Sequence, residues 1–472
     1  MRSPFRALCG LGLALVLAWA PGAAAPGRGG QGGPAPPLLC PGPPGPEAGG
    51  PAGWTSYQDC LATIQAWGAA LPDWIVHSWP LSYPARKPVY DAAGHPVLDP
   101  QGGQATVPVT LTGRMFFPPA WRVALGGSLP LVVYSHATEL RKDAVPSAFG
   151  GNEWMLGAAA AAWFGLAVAM PDLPGMGGDG ASFHPFCHAR SLAYAVVDSI
   201  PASRAAFAAD PFPAAHGYSW DGRLFLMGYS EGGYTTLATV RELEARGDPT
   251  LAGSACMAGP FDLSGAMRAT FIDPAVRYPR SYYLPYFVLG YHAVYGPRLD
   301  PLEVFAPVLL APGADGDILA WCDGSQGGEA VDGAVGRRLD QPPEAVNLRR
   351  MFNPPWLARE LDDPAYAASP VHALLAENDL CGGWAPTRPI LFRHSPDDVN
   401  IPYANTLTTL DQLGQAIRAA GGDPDAILLS LPIGAPGDHI SHTEGALIAI
   451  PSAFAWFYYG MPRLDTFRKL RW

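Results

Sequence analysis

Ser230 stands in Gly228-Tyr229-Ser230-Glu231-Gly232, where the apolar run Leu224-Phe225-Leu226-Met227 stops and a helix-like segment begins. A serine hydroxyl is a weak nucleophile until a histidine takes its proton and a carboxylate fixes that histidine's tautomer. The spacing of small residues on both sides of Ser230 suits a sharp strand-to-helix turn that exposes the hydroxyl at the positive end of the helix. The chemistry to look for is acyl transfer, with the acid and then the base further along the chain.

Two aspartates follow an apolar run in Pro389-Ile390-Leu391-Phe392-Arg393-His394-Ser395-Pro396-Asp397-Asp398. This places them at the C-terminal end of a strand, where open sheets carry catalytic groups. Asp398 is the choice, with two residues between it and the Ile401-Pro402 pair, Asp397 as the alternative and helix capping as the purely structural role. For the base, Asp438-His439-Ile440-Ser441-His442-Thr443-Glu444 offers two histidines. His442 abuts the last predicted helix and is preferred to His439, for which a loop role bonded to Asp438 is the alternative.

An oxyanion needs two backbone donors. The N–H of Glu231 is one, and Thr138, in Ser135-His136-Ala137-Thr138 after the strand Leu129–Tyr134, is the expected second. Asp172 in Pro171-Asp172-Leu173-Pro174-Gly175 is read as fixing its loop, and His184 and His188 as anchoring the next helix. The Glu231 side chain, a carboxylate beside the nucleophile, has no role that the sequence explains.

These residues have to be positioned by alternating elements. Strands are predicted at Trp74–Tyr83 and Ala105–Phe117 with a turn at Asp91, Gly94 and Pro96, then at Leu129–Tyr134, Gly165–Met170, the run into Ser230, Gly253–Ala258, Pro389–Arg393 and Ala426–Ile433. Helices are predicted at Tyr57–Leu71, Glu153–Phe164, Ala189–Phe207, Ser230–Glu244, Tyr403–Ala420 and Thr443–Tyr459. That rhythm is the mark of an α/β protein with a mostly parallel sheet and helices on both faces. Residues 266–388 interrupt it with an aromatic, proline-rich stretch carrying helical segments near Leu284–Tyr295 and Pro354–Leu361, read as a mainly helical cap insertion. The expected organisation is therefore core over 54–265, cap over 266–388 and core again over 389–472.

Of the 472 residues 49% are hydrophobic and 15% charged, enough for a large core, and the formal charge is -11. With no Lys/Arg-dense run, nucleic acid is not an expected partner. Residues 1–25 read as a signal peptide, with Arg2 and Arg6 before an apolar run and Ala23-Ala24-Ala25 after it, followed by a Gly/Pro-rich leader over 26–53. A secreted or periplasmic location follows, with no stable transmembrane anchor. Six cysteines remain beyond the signal, and the pairs Cys40–Cys60 and Cys322–Cys381 are the expected disulfides.

The sequence resembles the α/β-hydrolases, and within them the secreted lipases and esterases of the Candida antarctica lipase A-like group. Four motifs carry the likeness: His136-Ala137-Thr138 with Val145-Pro146-Ser147; Pro171-Asp172-Leu173-Pro174-Gly175-Met176-Gly177 with His184-Pro185-Phe186; Gly228-Tyr229-Ser230-Glu231-Gly232; and the aspartate and histidine segments. Pro451 and Trp456, nine and fourteen positions beyond His442, match the register of that group better than they do from His439. Ala137, Leu173-Pro174 and Glu231 depart from the group's usual residues. The resemblance implies an ester hydrolase with a Ser230, His442, Asp398 triad, acting on a small-molecule ester or lipid without metal or organic cofactor. The doubled Gly232-Gly233 also leaves a serine peptidase of the same fold open, and an inactive binding protein is the third reading.

Overall fold

The computed structural model describes residues 75–120 and 127–459. The signal peptide, the leader, the helix predicted at Tyr57–Leu71 and the Cys40–Cys60 pair lie outside the described residues. Eight strands form one sheet in the order β1-β2-β4-β3-β5-β6-β7-β8. They are β1 (His77–Pro88), β2 (Thr106–Phe117), β3 (Ser128–Ser135), β4 (Ala167–Pro171), β5 (Ser219–Tyr229), β6 (Leu251–Met257), β7 (Ile390–Arg393) and β8 (Leu428–Ser430). The first two are a long antiparallel hairpin whose second strand pairs antiparallel with β4, and every later neighbour is parallel.

The apolar runs become central strands because helices cover both faces of the sheet. Along β3, Leu131 and Val133 enter one core while Val132 and Tyr134 enter the other. The second core is closed by α1 (Trp154–Phe164) and the last helix, where Trp154, Phe454 and Trp456 are buried. The first core contains α2 (Ala189–Ala209) and α3 (Glu231–Ala245).

Between β6 and β7 the regular structure is helical, including α4 (Tyr283–Tyr295), α5 (Gly328–Leu339), α6 (Pro354–Glu360) and α7 (Pro370–Glu377). The chain then forms α8 (Ala404–Ala419), β8 and α9 (His442–Tyr458). Two expectations change. Strand β8 is three residues long because Pro424 starts a helical turn, Pro424–Ile427, where an extended run was predicted. The expected Cys322–Cys381 disulfide is absent, and both are buried free thiols. That the two share one segment, the ground for expecting the pair, did not bring them together. Cys322 has Asp323 and Asp332 as its charged neighbours, whereas Cys381 sits with Asp379 and Asp262, its thiol pushed up to about 12 by burial first and by those carboxylates second.

Candidate active site

Strand β5 ends at Tyr229, and Ser230 is the N-cap of α3 with φ 59° and ψ -123°. A non-glycine residue at positive φ is strained and persists only where its surroundings fix it. The surroundings here are backbone packed on backbone. A Cβ on Gly228 would lie 2.2 Å from the Gly232 carbonyl oxygen, and one on Gly232 would lie 2.1 Å from that of Ser135. Gly233 meets the same kind of limit against Met257, at 2.2 Å from its carbonyl oxygen, so the doubled glycine is required by the approach of α3 to β6.

The structure brings Asp398 and His442 together across 44 residues of chain. His442 Nδ1 donates to Asp398 Oδ2 at 2.5 Å. Asp398 Oδ1 accepts from the N–H groups of Asn400 and Ile401 at 2.9 and 3.0 Å. A second histidine, His394, donates Nε2–H to Asp398 Oδ2 at 3.1 Å and to the Ile401 carbonyl at 3.0 Å, while its Nδ1 lies 2.8 Å from Thr406 Oγ1. Because the Ile401 carbonyl can only accept, Nε2 carries the proton and Nδ1 accepts a hydrogen bond from the Thr406 hydroxyl. Burial alone would raise the Asp398 carboxyl, but the charge of His442 and the bonds from both histidines outweigh it and hold the carboxyl well below the usual range.

His442 opens α9, behind the N-cap Ser441 and its capping box with Glu444. Tyr229 links this helix to the elbow: its hydroxyl donates to the His442 carbonyl at 2.7 Å, and its ring lies 4.9 Å from the imidazole. Among the described residues no hydrogen bond joins Ser230 Oγ to His442. The alternatives sit apart. Asp397 is half-buried and holds a loop, its carboxylate accepting from the N–H groups of Gly437 and His439 at 2.9 and 2.7 Å. The partner of His439 is thus Asp397 through its backbone, and Asp438 instead accepts from Ala435 N–H at 2.8 Å.

Thr138 and Glu231 both border the space in front of Ser230. No hydrogen bond among the described residues uses either N–H. The turn carrying Thr138 is held by Glu153, whose carboxylate accepts from Ala137 N–H and Tyr134 Oη, both at 2.6 Å. Asp172 holds the neighbouring loops, accepting from Thr112 Oγ1 at 2.5 Å and Ser147 N–H at 3.1 Å. His188 caps α2 as expected, its ring accepting from Ser191, and burial together with Arg190 pulls it down to about 3. His184 does not cap the helix. It is buried against Glu231, with Nε2 2.5 Å from Glu231 Oε1. His184 and His394 are the site residues that sequence reasoning missed. The only signal for His394 was its place four residues before Asp398, and nothing in the sequence links 184 to 231.

A cavity with about 860 Å³ of empty space, partly open to solvent, runs from Thr138, Ser230 and Glu231 into the helices between β6 and β7. Its wall is almost wholly apolar, including Phe186, Leu263, Tyr283, Phe287, Trp356 and Leu374. Arg268 borders it too, but its guanidinium is occupied by the Leu361 carbonyl and lies 4.2 Å over the Tyr366 ring. Among the described residues one group has metal-ligand character, Asp262, Asp379 and Cys381. Its four carboxylate oxygens already accept from Gly265, Ala266, Leu263 and Ser264, so the group acts as a clasp on the loop after β6.

No protein-family model matches the chain, and no curated protein sequence does. Solved structures do. The rice cell wall degrading esterase LipA of Xanthomonas oryzae, in a ligand-bound form, superposes with a TM-score of 0.59 at 23% identity, over 86% of this chain and 95% of that one. A Legionella pneumophila protein whose assignment as a hydrolase is provisional also gives 0.59, at 20% identity, over 88% and 96%. Candida antarctica lipase A in its closed state gives 0.52 at 16% identity, over 82% and 78%. Eight strands with one antiparallel edge, the elbow on the central β5 and these neighbours define the α/β-hydrolase fold.

Proposed function

We propose that this protein is a secreted serine hydrolase that cleaves carboxylic esters with an apolar acyl group through an acyl-enzyme. The observation that carries this reading is the Asp398–His442 pair bonded through Tyr229 to the turn of a strained Ser230 that opens onto an apolar cavity. Ser230 Oγ attacks the acyl carbon as His442 Nε2 takes its proton, and the alcohol leaves with that proton. Water then repeats the sequence on the acyl-enzyme. Asp398, acceptor to His442 Nδ1, fixes the tautomer in which Nε2 is free to act as base. The N–H groups of Glu231 and Thr138 face the developing oxyanion. The serine–histidine bond is often formed only in the substrate complex, which accommodates its absence here. The LipA esterase and the Candida lipase share the fold, and what their names say of them supports ester chemistry. So does a wall that offers few groups to hydrogen-bond a peptide backbone.

The test is labelling of the purified protein by a fluorophosphonate, followed by rates on esters of increasing acyl length and on peptide anilides. Labelling at Ser230 with ester turnover is expected, and loss of both in Ser230→Ala. Faster cleavage of anilides than of esters would overturn the ester reading. Export is tested separately by the N-terminus of protein recovered from the medium or periplasm, expected beyond residue 25.

A further inference from the structure

The carboxylate that follows the nucleophile is not left facing the substrate. Glu231 is 2% exposed and its Oε1 lies 2.5 Å from His184 Nε2. The other ring nitrogen, His184 Nδ1, lies 2.7 Å from the Pro174 carbonyl. A carbonyl can only accept, so Nδ1 carries a proton, and the second proton is shared between Nε2 and Glu231. Whichever atom holds it, the pair as a whole is neutral. The imidazole is also stacked on Tyr286 of α4, 5.5 Å between centroids at 25°. Both nitrogens and one face of the ring are therefore fixed, by the loop after β4 and by the helical insertion.

We propose that His184 and Glu231 are a positioning pair: the histidine neutralises and orients the Glu231 side chain, so that the Glu231 N–H is held toward the oxyanion without an opposing charge beside it. This rests on Ser230 being the nucleophile. The N–H and the side chain belong to one residue, so a side chain locked at its far end limits rotation of the peptide that donates. An unpaired carboxylate there would repel the negative oxygen that the N–H is meant to stabilise, in surroundings where screening by water is weak. The same contacts join Tyr286, whose helix borders the cavity, to the nucleophile's own turn.

The experiment compares His184→Phe, Glu231→Gln and the double variant in the full chain. It measures kcat and KM on one soluble ester, Ki for a trifluoromethyl ketone, and Tm. In the ketone adduct Ser230 Oγ bonds to the carbonyl carbon, its proton passes to His442, and the carbonyl oxygen becomes the bound oxyanion. Glu231→Gln keeps a partner for His184 Nε2 and removes the charge, so kcat should fall less than in His184→Phe, by about three- to tenfold, with Ki rising in step. His184→Phe strands the carboxylate, so kcat should fall about 30-fold or more with KM little changed and Ki rising in parallel. The double variant should recover about tenfold over His184→Phe, because the stranded charge is gone. If His184→Phe does not fold, His184→Gln with and without Glu231→Gln gives the same comparison. A double variant no more active than the single, or a lowered Tm with kcat and Ki unchanged, would overturn the proposal. Failure of the wild type to label at Ser230 would instead strike the underlying hydrolase reading, so the two failures are distinguishable.

Discussion

Replacing Asp398 by Asn separates the proposed acid from its neighbour with a magnitude that the geometry supplies. The carboxylate accepts four hydrogen bonds, two at Oδ2 from His442 and His394 and two at Oδ1 from Asn400 and Ile401. An amide has one acceptor oxygen. If that oxygen keeps the two backbone donors, the Nδ2 group meets the Nε2–H of His394, and His442 can bond to it only by moving its own proton to Nε2. The ring then cannot take the proton of Ser230. A hydrogen bond to a charged group contributes about 1.5–3 kcal/mol, so losing two gives about 3–6 kcal/mol, or roughly 10²- to 10⁴-fold in kcat at about 1.4 kcal/mol per factor of ten. Asp397→Asn should change kcat by less than about threefold, since that half-buried group holds only loop N–H groups. The assay is kcat/KM on a chromogenic ester at about pH 7.5, with Tm to verify folding. Asp398→Asn with more than a tenth of wild-type activity, or a larger loss in Asp397→Asn, would refute the reasoning.

The same carboxyl predicts a pH dependence of stability. Its folded value lies below the usual carboxylate range, so its contribution is complete above the unfolded value of about 3.9 and is lost as pH falls through the folded one. The difference in urea midpoint between wild type and Asp398→Asn should therefore hold near about pH 5 and shrink below about pH 4, and a difference that grows on acidification would contradict it. Gly233→Ala places a Cβ 2.2 Å from the Met257 carbonyl oxygen, and because backbone meets backbone the cost should reach about 3 kcal/mol, read as a lowered urea midpoint. Val371→Trp fills part of the cavity wall. Each methylene kept from burial forfeits about 0.8 kcal/mol, so kcat/KM for a long acyl ester should drop about tenfold while a short one is spared; equal losses on both would count against an acyl chain in this cavity.

What was legible in the sequence was local. The buried parallel strands are continuous apolar runs, and their order with the intervening helices announced the sheet; the elbow could be read because three of its constraints, Gly228, Ser230 and Gly232, fall within five residues. The proposed acid and base stood out because one lies in the loop after a strand and the other opens a helix. Contacts between loops were not legible. His184 and Glu231 lie 47 residues apart, and no periodicity connects them, so Glu231 looked like an unexplained charge and His184 like a helix anchor. The Cys322–Cys381 expectation failed for the same reason: sharing a segment says nothing about which side of a folded insertion each residue reaches.

Three tyrosines on α4 give the insertion a particular mechanical character. The hydroxyls of Tyr286 and Tyr291 donate to the carbonyls of Glu139 and Cys187 at 3.1 and 3.0 Å, and that of Tyr295 accepts from Asn378 Nδ2 at 2.8 Å. Glu139 follows Thr138 directly, and Cys187 lies three residues beyond His184. One helix of the insertion is thus bonded to the segment carrying one proposed oxyanion donor and to the segment carrying the partner of the other. A swing of α4 away from the sheet would break these bonds and disturb both donors at once. The wall around Val371 and Leu374 is tied to the same helix, because Asn378, which bonds Tyr295, is the C-cap of α7, and Ser369 at the other end of α7 donates to Glu360 of α6 at 2.7 Å.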